Sequence, residues 1–173
     1  FPGLAPDGDA VLDSTGVLNL PEVPESLIIV GAGAIGLELG DFFGMMGSKI
    51  TIVEAAPHIA PTEDADIAKE MDRVQSKAGR TCITGVMAKS LVTKDGQAEL
   101  TLGDGRVLTA SKALVAVGRT PNTAGLDCEK AGCTLKRRGF VDVNDHLEAA
   151  EDVYAIGDVN GLTLLAHAAD HQG

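Results

Sequence analysis

Residues 26–54, SLIIVGAGAIGLELGDFFGMMGSKITIVE, limit the possible folds more than any other stretch of the chain. Leu27, Ile28, Ile29 and Val30 form an apolar run without alternation, the pattern of a strand covered on both faces in a parallel sheet. Gly31, Gly33 and Gly36 follow at the spacing G-x-G-x-x-G. A helical segment then runs to about Gly47, and a second apolar run, Ile50 to Val53, ends on Glu54. Parallel neighbours need a crossover of about a dozen residues or more, and the helix supplies it.

Each part of this unit has a physical role. Gly31 permits the tight turn out of the strand. Gly33 lacks a Cβ, so a pyrophosphate can approach the backbone, and Gly36 lets the helix lie close to the sheet. The helix start offers unpaired N–H groups and positive partial charge. Glu54, about 20 residues further on, is placed to accept hydrogen bonds from an adenine ribose diol. A ligand-free glycine turn would explain the glycines alone. Strand, turn, helix and acid in this order make a dinucleotide fingerprint, with Gly31, Ala32, Gly33, Ala34, Ile35, Gly36, Leu37 and Glu54 as cofactor-binding candidates. A carboxylate at Glu54 repels a 2′-phosphate, and Ala55, Ala56, Pro57 and His58 bring no Arg or Lys. NAD is therefore favoured over NADP, and Glu54→Arg is expected to weaken NADH binding and improve NADPH binding. Gly36, Gly40 and Gly44 stand four apart, which bares one helix face for close packing despite a cost of about 1 kcal/mol per glycine.

The rest of the chain reads as α/β. A helix is expected over about Glu63–Ala78, capped by Thr62, with Ile67, Met71 and Val74 as its buried stripe. Arg80–Ile83 reads as a third parallel strand. Ala88–Lys94, Ala98–Leu102 and Arg106–Thr109 read as an antiparallel meander, its first turn at Asp95-Gly96. Lys112–Val117 and Val153–Ile156 are further strands. The expected architecture is a Rossmann-like parallel sheet flanked by helices with an antiparallel β-meander, a three-layer ββα arrangement. Residues 1–25, rich in Pro, Gly and Asp, read as an irregular connecting segment with short extended pieces.

Composition narrows the function. A net charge of −11 and a pI of about 4.6 argue against nucleic acid or an anionic membrane as partner. Ser26–Gly47 carries Glu38, Asp41 and too many glycines for a spanning helix, and no signal peptide or lipidation motif is evident. Cys82, Cys128 and Cys133, an odd number, point to a reducing compartment, read as the cytoplasm. Residues 129–132 read as a short helix that would turn Cys128 and Cys133 apart, as packing residues. His58 and His146 lack metal-ligand spacing, so no metal site is expected.

Two further motifs, Leu114-Val115-Ala116-Val117-Gly118-Arg119-Thr120-Pro121-Asn122 and Val153-Tyr154-Ala155-Ile156-Gly157-Asp158, join the glycine motif. Together they resemble the FAD-dependent pyridine nucleotide–disulfide oxidoreductases, over nearly the whole chain. The resemblance implies that Gly118 approaches the nicotinamide end of NAD and that Ala88 contacts adenine through its backbone. It implies that Asp158 binds the FAD ribityl chain and that Leu164, Leu165, Ala166 and His167 lie against the flavin. Glu38 would pair with a lysine near the flavin, outside this chain. The implied reaction is oxidation of dihydrolipoamide with reduction of NAD, through FAD and a redox disulfide also outside this chain. The implied protein is a homodimer belonging to a 2-oxo acid dehydrogenase complex.

The departures from the family pattern matter as well. There is no second dinucleotide motif for FAD, no dithiol in the flavin-side context and no C-terminal His–Glu pair, so no catalytic residue is assigned. The chain begins at Phe1 and ends at Gly173 as a piece of a longer protein would. The expected layout is a linker or partial FAD-domain segment over 1–24, an NAD-binding domain over 25–122 and a second partial FAD-domain segment over 123–173. A relative acting on another substrate, such as a mercuric reductase or an NADH-dependent flavin reductase, stays open. So does a free-standing NAD-binding module without catalysis.

Overall fold

The computed structural model describes residues 2–173. The chain forms two compact units, one ending at Gly118 and the other running Arg119–Gly173. In the first unit, β1 (Val11–Leu12), β2 (Ser26–Val30), β3 (Lys49–Val53), β4 (Thr81–Ile83) and β8 (Lys112–Val115) form a parallel sheet in the order β1-β8-β2-β3-β4. α1 (Ser14–Leu18), α2 (Ala34–Met45) and α3 (Ala65–Lys77) supply crossovers, and β5 (Ala88–Lys94), β6 (Gln97–Leu102) and β7 (Val107–Ala110) make the expected meander.

Alternation along β2 shows why the layers stack as they do. Leu27 and Ile29 enter a core shared with Leu37 and Phe43 of α2 and with Ile50 and Ile52 of β3. Ile28 and Val30 point to the other face, among Leu91, Leu100 and Leu102 of the meander. All four β2 residues are buried. Burial of such side chains stabilises by about 1.5–3 kcal/mol each, which is why an unbroken apolar run belongs here.

The glycine face of α2 packs as its spacing requires. A Cβ at Gly36 would lie 2.0 Å from the Gly31 carbonyl oxygen, and one at Gly40 would lie 2.9 Å from Ile29 Cδ1. At Gly44 the neighbour is the guanidinium of Arg80, 2.7 Å from a Cβ there.

Three local expectations change. The N-terminal stretch is no mere connector: Ala10 and Val11 are fully buried, and β1 is the edge strand beside β8. Asp64, not Thr62, precedes α3, and the helix buries Ala68 and Gln75 while Ile67 and Val74 lie about half exposed. The cause is Arg80, whose Nη1 donates to Gln75 Oε1 at 2.9 Å and to Asp41 Oδ1 at 2.6 Å. This buried cation draws the glutamine inward and sets the rotation of the helix. Residues 129–132 form successive turns rather than a helix, with the Cys133 amide donating to the Cys128 carbonyl at 2.9 Å. Both thiols are free, and Cys128 packs against a small core containing Cys133, Val141 and Ala155.

The second unit holds the hairpin β9 (Glu148–Ala150) and β10 (Val153–Tyr154), a 3-10 turn at Gly157–Asn160 and the short helix α4 (Ala166–Gln172).

Candidate functional site

In the first unit the carboxyl ends of β2, β3 and β8 meet at a topological switch point, where β3 and β4 follow β2 on one side and β8 lies against its other side. Open α/β sheets bind ligands in such crevices. A cavity of about 370 Å³ lies there, a size suited to a small-molecule site.

Its floor is the turn after β2. The Gly31 amide donates to the Val53 carbonyl at 2.8 Å, and the Ala116 amide to the Val30 carbonyl at 2.8 Å. Gly31 has φ +106, and a Cβ would meet the Ala116 carbonyl oxygen at 2.4 Å, so glycine is required by both conformation and space. Gly33 differs. Its backbone is ordinary extended chain, with φ −76 and ψ −176, and a Cβ would point into open space. Gly33 precedes α2, and no side chain caps that helix start. The open approach and the uncapped amides suit a diphosphate, which needs main-chain N–H donors and room to reach them.

Glu54 supplies the one charged group in the cavity wall. Its backbone is fixed by hydrogen bonds from its own amide to the Ile83 carbonyl and from the Val86 amide to its carbonyl. Its carboxylate accepts from the Ala32 amide at 2.7 Å through Oε2 and from the Ala56 amide at 2.8 Å through Oε1.

Gly31, Gly33, Glu54, Ala88 and Gly118 line this single cavity. Five candidates from the glycine motif do not. Ala32 is fully buried beneath the turn, Gly36 and Leu37 are packed inside, and Ala34 is exposed at the helix start. Ile35 is half-buried, and exposed Glu38 makes none of the ion pairs found among the described residues. Sequence reasoning missed Leu4, Pro61, Val86 and Met87, all in the cavity wall. They come from loops and from the N-terminal stretch, where no periodic pattern marks them.

The second unit has its own cavity of about 260 Å³, lined by residues 119–122, Phe140, Asp158, Val159 and Leu164. Arg119 Nη2 lies 3.2 Å from Asp158 Oδ2, so the two motifs converge here. Leu165, Ala166 and His167 are exposed and lie outside this wall. Among the described residues no cluster of His, Cys, Asp or Glu could hold a metal ion, and no helix is long and apolar enough to cross a membrane.

The architecture is that of the Rossmann-like flavoprotein reductases. The chain superposes on LpdA from Mycobacterium tuberculosis with a TM-score of 0.91 at 33% identity, over 99% of this chain and 38% of that one. It superposes on the flavoprotein disulfide reductase RclA from Escherichia coli with a TM-score of 0.87 at 34% identity, over 99% of this chain and 39% of that one. Residues 1–173 match the pyridine nucleotide-disulphide oxidoreductase family, and the chain belongs to it. Membership brings the cofactors that the resemblance implied, FAD and NAD(H), at the level of the family. Dihydrolipoyl dehydrogenase 1, mitochondrial, of Arabidopsis thaliana is 40% identical over 100% of this chain and 35% of its own length. Dihydrolipoyl dehydrogenase of Thermus scotoductus is 40% identical over 97% of this chain and 38% of its own length. The chain thus spans between a third and two fifths of the relatives it matches.

Proposed function

We propose that this chain is the NAD(H)-binding part of a flavin-dependent dihydrolipoamide dehydrogenase. The observation that carries the reading is the cavity in which Gly33, open to an approaching diphosphate, faces the same space as Glu54. The main chain at the start of α2 would hold the diphosphate, and Glu54 the ribose diol. Ala88 would contact the adenine, and Gly118 would leave room at the nicotinamide end. NAD supplies hydride-acceptor chemistry, while these residues bind and orient it.

The 25–122 segment is the NAD domain in this reading, and 1–24 and 123–173 flank it as strips of an FAD domain. The exposed Tyr154, Ile156, Leu162, Leu164 and Leu165 of the second unit support such a face for further protein and flavin. Asp158 would receive the ribityl chain. A homodimeric parent, membership of a 2-oxo acid dehydrogenase complex and a cytoplasmic setting complete the proposal. The first two rest on the resemblance read from the sequence, and the last on the free thiols.

Calorimetry with NADH and NADPH, beside the absorption spectrum of the purified chain, tests this. Stoichiometric NADH binding, weaker NADPH binding and no retained flavin are expected. No NADH binding would overturn the reading.

A further inference from the structure

Glu54 has more to do than face a ribose. Both its oxygens already hold main-chain donors, the Ala32 amide at 2.7 Å and the Ala56 amide at 2.8 Å. Ala32 is the residue between Gly31 and Gly33, and it is fully buried. Its carbonyl in turn accepts from the Ala60 amide at 2.9 Å. The Ala56 carbonyl accepts from the Gly85 amide at 2.8 Å. One carboxylate therefore joins the glycine turn to the 54–60 loop, and that loop closes back on the turn through Ala60. Ala60 has φ +48, an uncommon conformation for alanine that the surrounding web maintains.

We infer that Glu54 is a positioning residue, which braces the glycine turn in the shape that receives a diphosphate before any nucleotide arrives. This rests on the nucleotide reading above and adds a second role to the same side chain. Each carboxylate oxygen has two lone pairs, so it can hold an amide and still accept from a ribose hydroxyl. A glutamine cannot fill the role. It keeps one acceptor and turns an NH₂ against the other amide, leaving a part-buried N–H donor facing a donor. An arginine keeps no acceptor at all. The charge reversal expected from the sequence to favour NADPH would thus also release the turn.

Two measurements test the brace. The first uses the nucleotide-free chain, with amide exchange followed by NMR. Glu54→Ala should speed exchange at both Ala32 and Ala56 by roughly ten- to a hundredfold, the range for hydrogen bonds to a charged acceptor, and Glu54→Gln at one of the two, while the Leu100 amide of the meander is unchanged. Glu54→Asp, which keeps both acceptors, should restore part of the protection. Unchanged exchange at Ala32 in Glu54→Ala, or at both amides in Glu54→Gln, would overturn the inference. The second uses calorimetry with ADP and 2′,3′-dideoxy-ADP, which lacks the diol. A brace predicts that Glu54→Ala weakens the dideoxy ligand by about tenfold as well. A loss confined to ADP would show that the carboxylate acts on the ribose alone. If the unaltered chain bound neither ADP nor NADH, the nucleotide reading would fail, and the exchange result would still decide the brace.

Discussion

Gly33→Ala and Gly36→Ala should separate binding from folding within one motif. At Gly36 the added methyl would sit 2.0 Å from the Gly31 carbonyl oxygen and 3.1 Å from Ile29 Cγ2. The oxygen is main chain at the end of a central strand, so α2 must lift. Overpacking of this kind costs about 1–3 kcal/mol or more, and the lift also loosens Leu37 and Phe43 in the core. Alanine returns about 1 kcal/mol of helix propensity. A net loss of about 2 kcal/mol should lower the Tm by roughly 4–8 °C in a chain of this size. At Gly33 the methyl meets nothing within 4 Å and the backbone is already extended. The cost of alanine before a helix and the gain from a stiffer unfolded chain nearly cancel, leaving stability within about 1 kcal/mol. The methyl nevertheless occupies the approach to the helix amides. Loss of one charge-assisted contact to the diphosphate should weaken NADH by at least roughly tenfold. Circular dichroism melts and NADH calorimetry on both variants provide the check. A Gly33→Ala chain that melts as early as Gly36→Ala, or binds NADH like the unaltered chain, would refute the reasoning.

Two further outcomes follow from packing and charge. Arg80→Met should destabilise by about 1–3 kcal/mol in urea titration, because buried Gln75 loses its donor and half-exposed Asp41 its cation. Gly44→Ala should act in the same direction by displacing that guanidinium. At Asp7, burial pushes the carboxyl pKa up, but hydrogen bonds from Thr93 Oγ1 and the amides of Asp9 and Val11 outweigh it and hold the group below its usual 3.8. The folded state therefore binds this proton less readily than the unfolded chain. The stability contribution is complete above about pH 4 and fades as pH falls through the lower folded value. Asp7→Asn should flatten the acid limb of a stability-versus-pH curve, and an unchanged limb would remove Asp7 from the account.

The parallel strands were legible because burial on both faces leaves an unbroken apolar run, as at residues 27–30, that few other structures tolerate. α3 was not. Its sequence offers Ile67, Met71 and Val74 as one stripe, yet the helix turns so that Gln75 meets Arg80. An apolar count gives no weight to a glutamine, and the cation that draws it lies beyond the helix end. β1 was foreseen only as one of several short extended pieces, for a related reason: two residues carry too short a pattern to place in the sheet, though both are buried.

The site divides along the same line. Side chains that act on a ligand by their own chemistry, Glu54 as an anion and Gly33 by its bareness, could be named from spacing. The walls could not, because Leu4, Pro61, Val86 and Met87 reach the cavity through loop paths that only the folded chain defines. The second role of Glu54 was hidden more deeply, since its partners are the amides of two alanines. Main-chain donors are the same in every residue but proline, so no letter of the sequence marks them. What selects Ala32 is position: it lies between two glycines in a turn that must keep its shape when empty. A carboxylate at the end of the neighbouring strand can supply that restraint without filling the cavity.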